Sequence, residues 1–242
     1  MIVIPMAGLS SRFFKEGYEQ PKYMLLAHGL SLFEHSVKSF EKYFKSEEFI
    51  FIVRDSYETP NFVRKKSEIL GIKNFKIIVL HENTKGQAET VFLGLKEINK
   101  TEEPITIFNI DTFRPGFIYP ELEALGDGYL EVFQGEGDNW SFVRAISNET
   151  TLIDLTTEKK PISKLCCTGL YYFKSSKDYI DAYNDYIRLP IEKWERGELY
   201  VAPLYNYLIR KNKKIHYNLI SREDVIFCGV PSEYKDFLSV ND

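Results

Sequence analysis

Four short apolar runs, at residues 49–53, 75–80 and 105–110 and at the very start over 2–5, alternate with segments whose apolar residues recur at helical spacing. No other feature limits the fold as much. Continuous runs of strand length belong to strands buried on both faces, and strands alternating with helices build a mostly parallel sheet with right-handed crossovers. Ser31 and Glu34 have the spacing of a capping box, and Phe33, Val37, Phe40 and Phe44 follow on one face, predicting a helix over 31–44. Further helices are expected over 61–70, closed by Gly71, and over 88–98. Glycines and charges crowd together between 126 and 137. After them, shorter strands over 129–133, 140–146, 152–155 and 169–173 extend the sheet in mixed orientation. Helices over 176–187 and 202–211 and a final pair of strands at 215–219 and 225–228 complete an α/β chain. It divides softly into 1–125 and 126–242 within one continuous domain.

The first run ends at Pro5, where ladder pairing can stop without loss, so the loop after it leaves the carboxyl end of a strand. Open α/β sheets bind ligands at that edge. In Met6-Ala7-Gly8-Leu9-Ser10-Ser11-Arg12 the small residues let backbone N–H groups approach phosphate oxygens, while Arg12 and, further on, Lys22 add cations of different geometry. The loop is neither G-x-x-x-x-G-K-[ST] nor G-x-G-x-x-G, which removes two common nucleotide readings. Gly86-Gln87 follows the third run, and the Gln87 amide has the donors and acceptor needed to read a base edge. Asp111 follows the fourth run, where a carboxylate can hold Mg²⁺ against phosphates. Taken singly, each has a bland alternative: a surface turn, a helix start, a capping acid. Asp111-Thr112-Phe113 is not a D-x-D pair, which argues against a nucleotide-sugar glycosyltransferase.

A net charge of −4 gives no reason to expect nucleic acid or an anionic membrane as partner, so any phosphate binding has to rely on local cations. The three cysteines include the adjacent Cys166 and Cys167 and have no zinc spacing. His28, His35, His81 and His216 have none either. The start lacks a basic segment and no apolar run approaches the roughly 18 residues of a membrane span, so a soluble protein of the reducing cytoplasm is expected.

The loop Met6 to Phe13 with Pro21-Lys22 resembles the signature of the sugar-phosphate nucleotidyltransferases. Gly86-Gln87-Ala88 resembles their base-reading loop, Asn109-Ile110-Asp111 their metal-binding strand end, Lys160-Pro161 their Glu-Lys-Pro motif, Gly169 to Phe173 the strand after it, and Gly229-Val230-Pro231 their closing Gly-Thr-Pro segment. The similarity runs in order along nearly the whole chain. It implies a Rossmann-like, three-layer GT-A-like fold, with 1–125 binding the nucleotide and 126–242 the acceptor. Within the family, the length, the Gly17-Tyr18 insertion and the strand at Trp140-Ser141-Phe142-Val143 look like the small bacterial cytidylyltransferases of capsule pathways, one of which charges L-glutamine phosphate with CMP.

The resemblance implies transfer of a nucleoside monophosphate, with CTP as the favoured donor, onto a small phosphorylated acceptor. Met6, Ala7, Gly8, Leu9, Ser10, Gln87, Ala88 and Asn109 would hold the nucleotide; Arg12, Lys22 and Lys160 would act on the phosphates; Asp111 would hold Mg²⁺ or Mn²⁺. Arg144, Glu198 and Tyr200 are candidates for the acceptor pocket. Two departures from the pattern stand out. Phe227 occupies the place of a second metal-binding Asp, for which Asp224 is the candidate substitute, and Lys159 precedes Lys160 where the motif has Glu. Uridylyl or thymidylyl transfer to a hexose 1-phosphate is an alternative, and Phe227 raises a second: nucleotide binding without turnover.

Overall fold

The computed structural model describes residues 1–100 and 102–240. Thr101, Asn241 and Asp242, which fall within the two halves drawn from the sequence, lie outside the described residues. From the amino terminus come β1 (Ile2–Pro5), α1 (Ser11–Lys15), a small hairpin of β2 (Leu26–Ala27) and β3 (Leu30–Ser31), and α2 (Leu32–Lys38). Next are β4 (Glu48–Arg54), α3 (Thr59–Leu70), β5 (Asn74–Leu80), α4 (Gln87–Ile98), β6 (Ile105–Phe108) and β7 (Thr112–Phe113). The remainder supplies β8 (Gly128–Gln134), β9 (Ser141–Ala145), β10 (Ile153–Glu158), β11 (Leu165–Phe173), α5 (Ser176–Tyr186), α6 (Tyr205–Arg210), β12 (Ile215–Leu219), β13 (Ile226–Phe227) and α7 (Pro231–Ser239).

A mixed, mostly parallel sheet runs through the molecule in the order β10-β9-β11-β6-β1-β4-β5, with β8 beside β11 and β12 beside β8. The strand periodicity of two explains the three layers. Ile2, Ile4, Phe49 and Phe51 turn to one core, where Phe33 and Val37 of α2 and Val63 of α3 pack; Val3, Ile50 and Ile52 turn to the other, beneath Ala88, Val91 and Leu95 of α4. Each central strand is therefore apolar on both faces, as its uninterrupted sequence requires. Gly94 lets α4 lie close on β4, since a Cβ there would stand 2.3 Å from Ile52 Cδ1.

One expectation is corrected. The helix over 31–44 ends at Lys38 and resumes as a 3-10 turn at Glu41–Tyr43. Its capping box and buried phenylalanines are in place, but the Ser39 hydroxyl accepts the Arg114 N–H (2.8 Å) and the chain turns there toward β4. The two closing strands are both present and join different sheets: β12 runs parallel to β8, whereas β13 pairs with β7. Between them the Arg222–Asp224 turn redirects the chain, anchored by Arg114, whose guanidinium donates to Asp224 O (2.7 Å) while buried against Glu131 (2.8 Å). Among the described residues no helix is long and apolar enough to cross a membrane.

Candidate active site

Sheet pairing continues one residue past β1, with Met6 N–H donating to Ile52 O (2.8 Å), before the chain breaks away. Ser10 takes a left-handed conformation (φ 51°) that starts α1, and its hydroxyl accepts the Lys22 N–H (3.2 Å), tying the loop to the Pro21-Lys22 segment. Met6, Ala7, Gly8, Leu9 and Ser10 line one side of a cleft of about 670 Å³, with Lys85, Gln87 and Asn109 on the other. Gln87 Nε2 donates to Asn109 Oδ1 (2.5 Å), so the two amides orient one another.

A second cavity, of about 580 Å³, adjoins the first and shares Gln87, Asn109 and Asp111 with it. Arg12, Trp140, Glu158, Lys159, Tyr171, Tyr200 and Phe227 are among its lining residues. Asp111 therefore stands where the two spaces meet, in the turn between β6 and β7. Lys22 Nζ lies 2.6 Å from its Oδ2. Burial pushes the Asp111 carboxyl up, but the charge and hydrogen bond of Lys22, with Arg12 more distant, outweigh this and hold it below the usual carboxylate range. The nearby Cys228 thiol is pushed up to about 12, by burial first and then by the Glu233 and Asp111 carboxylates, so it is no nucleophile at neutral pH.

Lys159 approaches the second cavity from the end of β10. Its backbone is left-handed (φ 53°), its ammonium lies 4.1 Å from the centre of the Tyr200 ring, it bonds the Tyr200 hydroxyl, and it stands 3.8 Å from Glu158 Oε1. Glu158 is buried beside it, which raises its carboxyl pKa, an effect that a hydrogen bond from Ser141 and the Lys159 charge only partly offset.

Several candidate residues stand elsewhere than expected. Lys160, read as the motif lysine, is 69% exposed on its side chain and pairs with Glu195 (2.7 Å) in a separate pocket, because the left-handed turn at Lys159 directs it away. Glu158 and Lys159 face the second cavity instead. Arg144 points to the surface in a two-bond pair with Asp154 (2.9 and 3.0 Å). Asp224 lines neither cavity; its carboxylate caps Ser221 N–H (3.2 Å). Ala88 is fully buried and its N–H is taken by Leu199 O (2.9 Å), which leaves nothing to offer a base. Glu198 lines the first cleft, not the second, whereas Tyr200 does line the second. Arg12 likewise faces the second cavity. Glu158, Lys159, Ser141 and Tyr171 were not among the site residues expected from the sequence. The two lysines in succession gave no cue to which one turns inward, and Tyr171 reads as one aromatic in an apolar strand.

Among the described residues no cluster of three or more His, Cys, Asp or Glu is arranged for a metal. The donor set does fit Mg²⁺ or Mn²⁺ of the kind that takes one or two carboxylates and completes its shell with substrate phosphates and water. Asp111 would supply that carboxylate. Phe227 cannot supply a second, and Glu233 Oε2 is engaged by the Gly229 and Val230 N–H groups (2.7 and 3.2 Å).

No family model and no curated protein matches the chain. Among solved structures it is similar to the nucleoside-diphosphate-sugar pyrophosphorylase from Vibrio cholerae RC9, with a TM-score of 0.96 and 60% identity over 99% of this chain and 100% of that one. The chain belongs to the sugar-phosphate nucleotidyltransferase family. More distant nucleotidyltransferases share its fold. One is a candidate glucose-1-phosphate thymidylyltransferase from Bacillus anthracis (TM-score 0.76, 18% identity, 100% of this chain and 96% of that one). Another is the inositol-1-phosphate CTP transferase from T. maritima (TM-score 0.71, 16% identity, 98% of this chain and 94% of that one).

Proposed function

We propose that this nucleotidyltransferase moves CMP from CTP onto a small phosphorylated acceptor and releases pyrophosphate, with L-glutamine phosphate, destined for phosphoramidate decoration of a capsule, as the acceptor suggested by the sequence resemblance. The observation that carries the reading is the meeting of two cavities at Asp111, with Lys22 on the carboxylate itself and Arg12 and Lys159 in the second cavity. A triphosphate in the first cleft and a phosphate in the second would present their charges to the same cluster.

The acceptor phosphate has a second pKa of roughly 6, so it is a charged nucleophile at neutral pH and needs no general base. Its oxygen attacks the α-phosphorus in line and pyrophosphate leaves. What the chain contributes is orientation and fixed positive charge. Lys22 balances charge at the α-phosphorus, Arg12 reaches the leaving phosphates, and Lys159, braced on Tyr200, holds the acceptor phosphate. Mg²⁺ or Mn²⁺ bound on Asp111 would neutralise the phosphate oxygens further. Gln87 and Asn109 are positioned to face the base or sugar of the nucleotide.

The relatives favour a second reading, uridylyl or thymidylyl transfer to a hexose 1-phosphate, since one is a nucleoside-diphosphate-sugar pyrophosphorylase and another a candidate thymidylyltransferase. Pyrophosphate release measured with CTP, UTP and dTTP against a panel of acceptor phosphates separates the two. Near wild-type turnover in Arg12→Ala, Lys22→Ala and Asp111→Ala together would remove the site assignment. Nucleotide binding without pyrophosphate release would favour the non-catalytic alternative that Phe227 raises.

A further inference from the structure

The pocket that receives Lys160 has a volume of about 230 Å³, shares Glu158 with the second cavity and has no lining residue in common with the first cleft. Three parts of the chain bring cations to it: Lys160 after β10, Lys193 in the segment 188–199, and Arg210 at the end of α6. Leu189, Pro203 and Tyr207 add apolar surface.

The acids in this lining are already engaged. Glu195 pairs with Lys160 (2.7 Å), and the buried Glu158 accepts the Ser141 hydroxyl. Lys193 and Arg210 have no acidic partner among the described residues, although Arg188 and Lys211 close by in sequence both pair with Asp185 (3.4 and 3.2 Å). The Arg210 guanidinium lies 4.2 Å from the centre of the Tyr207 ring, which orients its donor fork without an acid to occupy it.

The segment 188–199 joins this pocket to the nucleotide cleft. Trp194 Nε1–H donates to Leu189 O (3.0 Å), Glu195 and Glu198 form an antiparallel bridge, and Leu199 N–H donates to Lys85 O (2.8 Å). Gly86 permits that approach, since a Cβ there would stand 2.4 Å from Leu199 O. Gly197 and Glu198 line the first cleft. Whatever fixes Lys193 and Glu195 therefore also fixes one wall of the nucleotide site.

We propose that this pocket is an effector site for a small phosphate-bearing anion, which Lys160, Lys193 and Arg210 bind together and which raises the affinity for nucleotide. A phosphate group has enough acceptor oxygens to engage cations from all three parts of the chain at once. The volume is about a third of the 670 Å³ first cleft, so a phosphate monoester or pyrophosphate fits better than a nucleoside triphosphate. With the segment pinned at one end, a nucleotide arriving at the other has less ordering left to impose, and the two ligands favour each other.

The test uses the full chain. In a Trp140→Phe background Trp194 is the one remaining tryptophan and reports on the segment. Glycerol 3-phosphate and pyrophosphate are each expected to change its fluorescence saturably, with sodium chloride at matched ionic strength giving no such change. Tighter binding of pyrophosphate would mark the effector as the reaction's own product, and tighter binding of the monoester would mark it as a separate metabolite. Lys193→Ala and Arg210→Ala should each weaken the response about ten-fold or more, the scale of one hydrogen bond to a charged group. Calorimetry with the tightest-bound of CTP, UTP and dTTP, in the presence of Mg²⁺, should show its affinity raised about five-fold or more by glycerol 3-phosphate, and not raised in the two variants. A fluorescence response that survives both substitutions, or a nucleotide affinity indifferent to the anion, overturns the inference. So does a ten-fold rise in acceptor KM for the variants in anion-free buffer, which would make the pocket part of the acceptor site. If none of the three nucleotides binds, the transfer reading fails and the fluorescence titrations alone decide this one.

Discussion

The Lys22 ammonium lies 2.6 Å from the Asp111 carboxylate at the junction of the two cavities, and the two side chains are only 19% and 24% exposed. Each is the other's counter-charge before any phosphate arrives. Removing one leaves a half-buried charge unpaired as well as a missing catalytic group. Lys22→Ala and Asp111→Asn are each expected to lower kcat for pyrophosphate release by on the order of 10²-fold, by analogy with loss of one oxyanion donor. Lys22→Met with Asp111→Asn should unfold at a higher temperature than Lys22→Met alone, because no uncompensated charge remains, while staying inactive. A double variant less stable than the single one would mean that the pair does not set the local charge balance.

Lys159 and Lys160 are neighbours in sequence on different faces of the protein. Lys159→Ala should reduce kcat/KM for the acceptor by about 10²-fold, the cost of one preorganised donor to a phosphate. Lys160→Ala loses an exposed pair with Glu195 and should change activity less than about two-fold, because such pairs contribute about 0–1 kcal/mol. Steady-state kinetics on the two variants, with acceptor varied at saturating nucleotide, compares them directly.

The parts of this molecule that were legible beforehand are those set by local pattern. The two-sided apolar runs announced the parallel centre of the sheet, Ser31 with Glu34 announced the start of α2, and the loop from Met6 to Ser10 lies on the cleft it suggested. What escaped depends on one dihedral or one distant partner. The positive φ of Lys159 sends two identical residues into different pockets. Arg144 and Asp224 were candidates by charge alone, and each is engaged by a local acid or amide that composition does not reveal. Ala88 shares its loop with Gln87, but its N–H goes to Leu199, more than a hundred positions away.

Gly169 is where backbone freedom bears on the site. Its φ is +99°, and a Cβ there would fall 2.5 Å from Asn109 Nδ2. Gly169→Ala must therefore combine backbone strain with displacement of the amide that bonds Gln87. A destabilisation of about 1–3 kcal/mol in urea unfolding is expected, together with a raised KM for nucleotide. Loss of stability with unchanged nucleotide KM would separate Asn109 from nucleotide binding.

Glu34 gives the pH dependence of stability a defined sign. Burial raises its pKa, but hydrogen bonds from Lys66 (2.8 Å) and from the Ser31 hydroxyl and N–H (2.6 and 2.9 Å) prevail, so the folded value lies below the ordinary 4.5. A depressed carboxylate stabilises the fold above its unfolded pKa, and that contribution disappears as pH falls from about 4.5 through the lower folded value. Glu34→Gln keeps an acceptor for Ser31 but never carries the charge, so it matches the protonated wild type. At pH 7 the variant should be less stable by about 2 kcal/mol, the scale of a charged cap and its ion pair. At pH 3 the gap should be smaller, closing further as the remaining carboxylate is protonated. Urea titrations of both proteins at the two pH values measure the gap, and one that is unchanged at pH 3 would show that the cap acts through shape rather than charge.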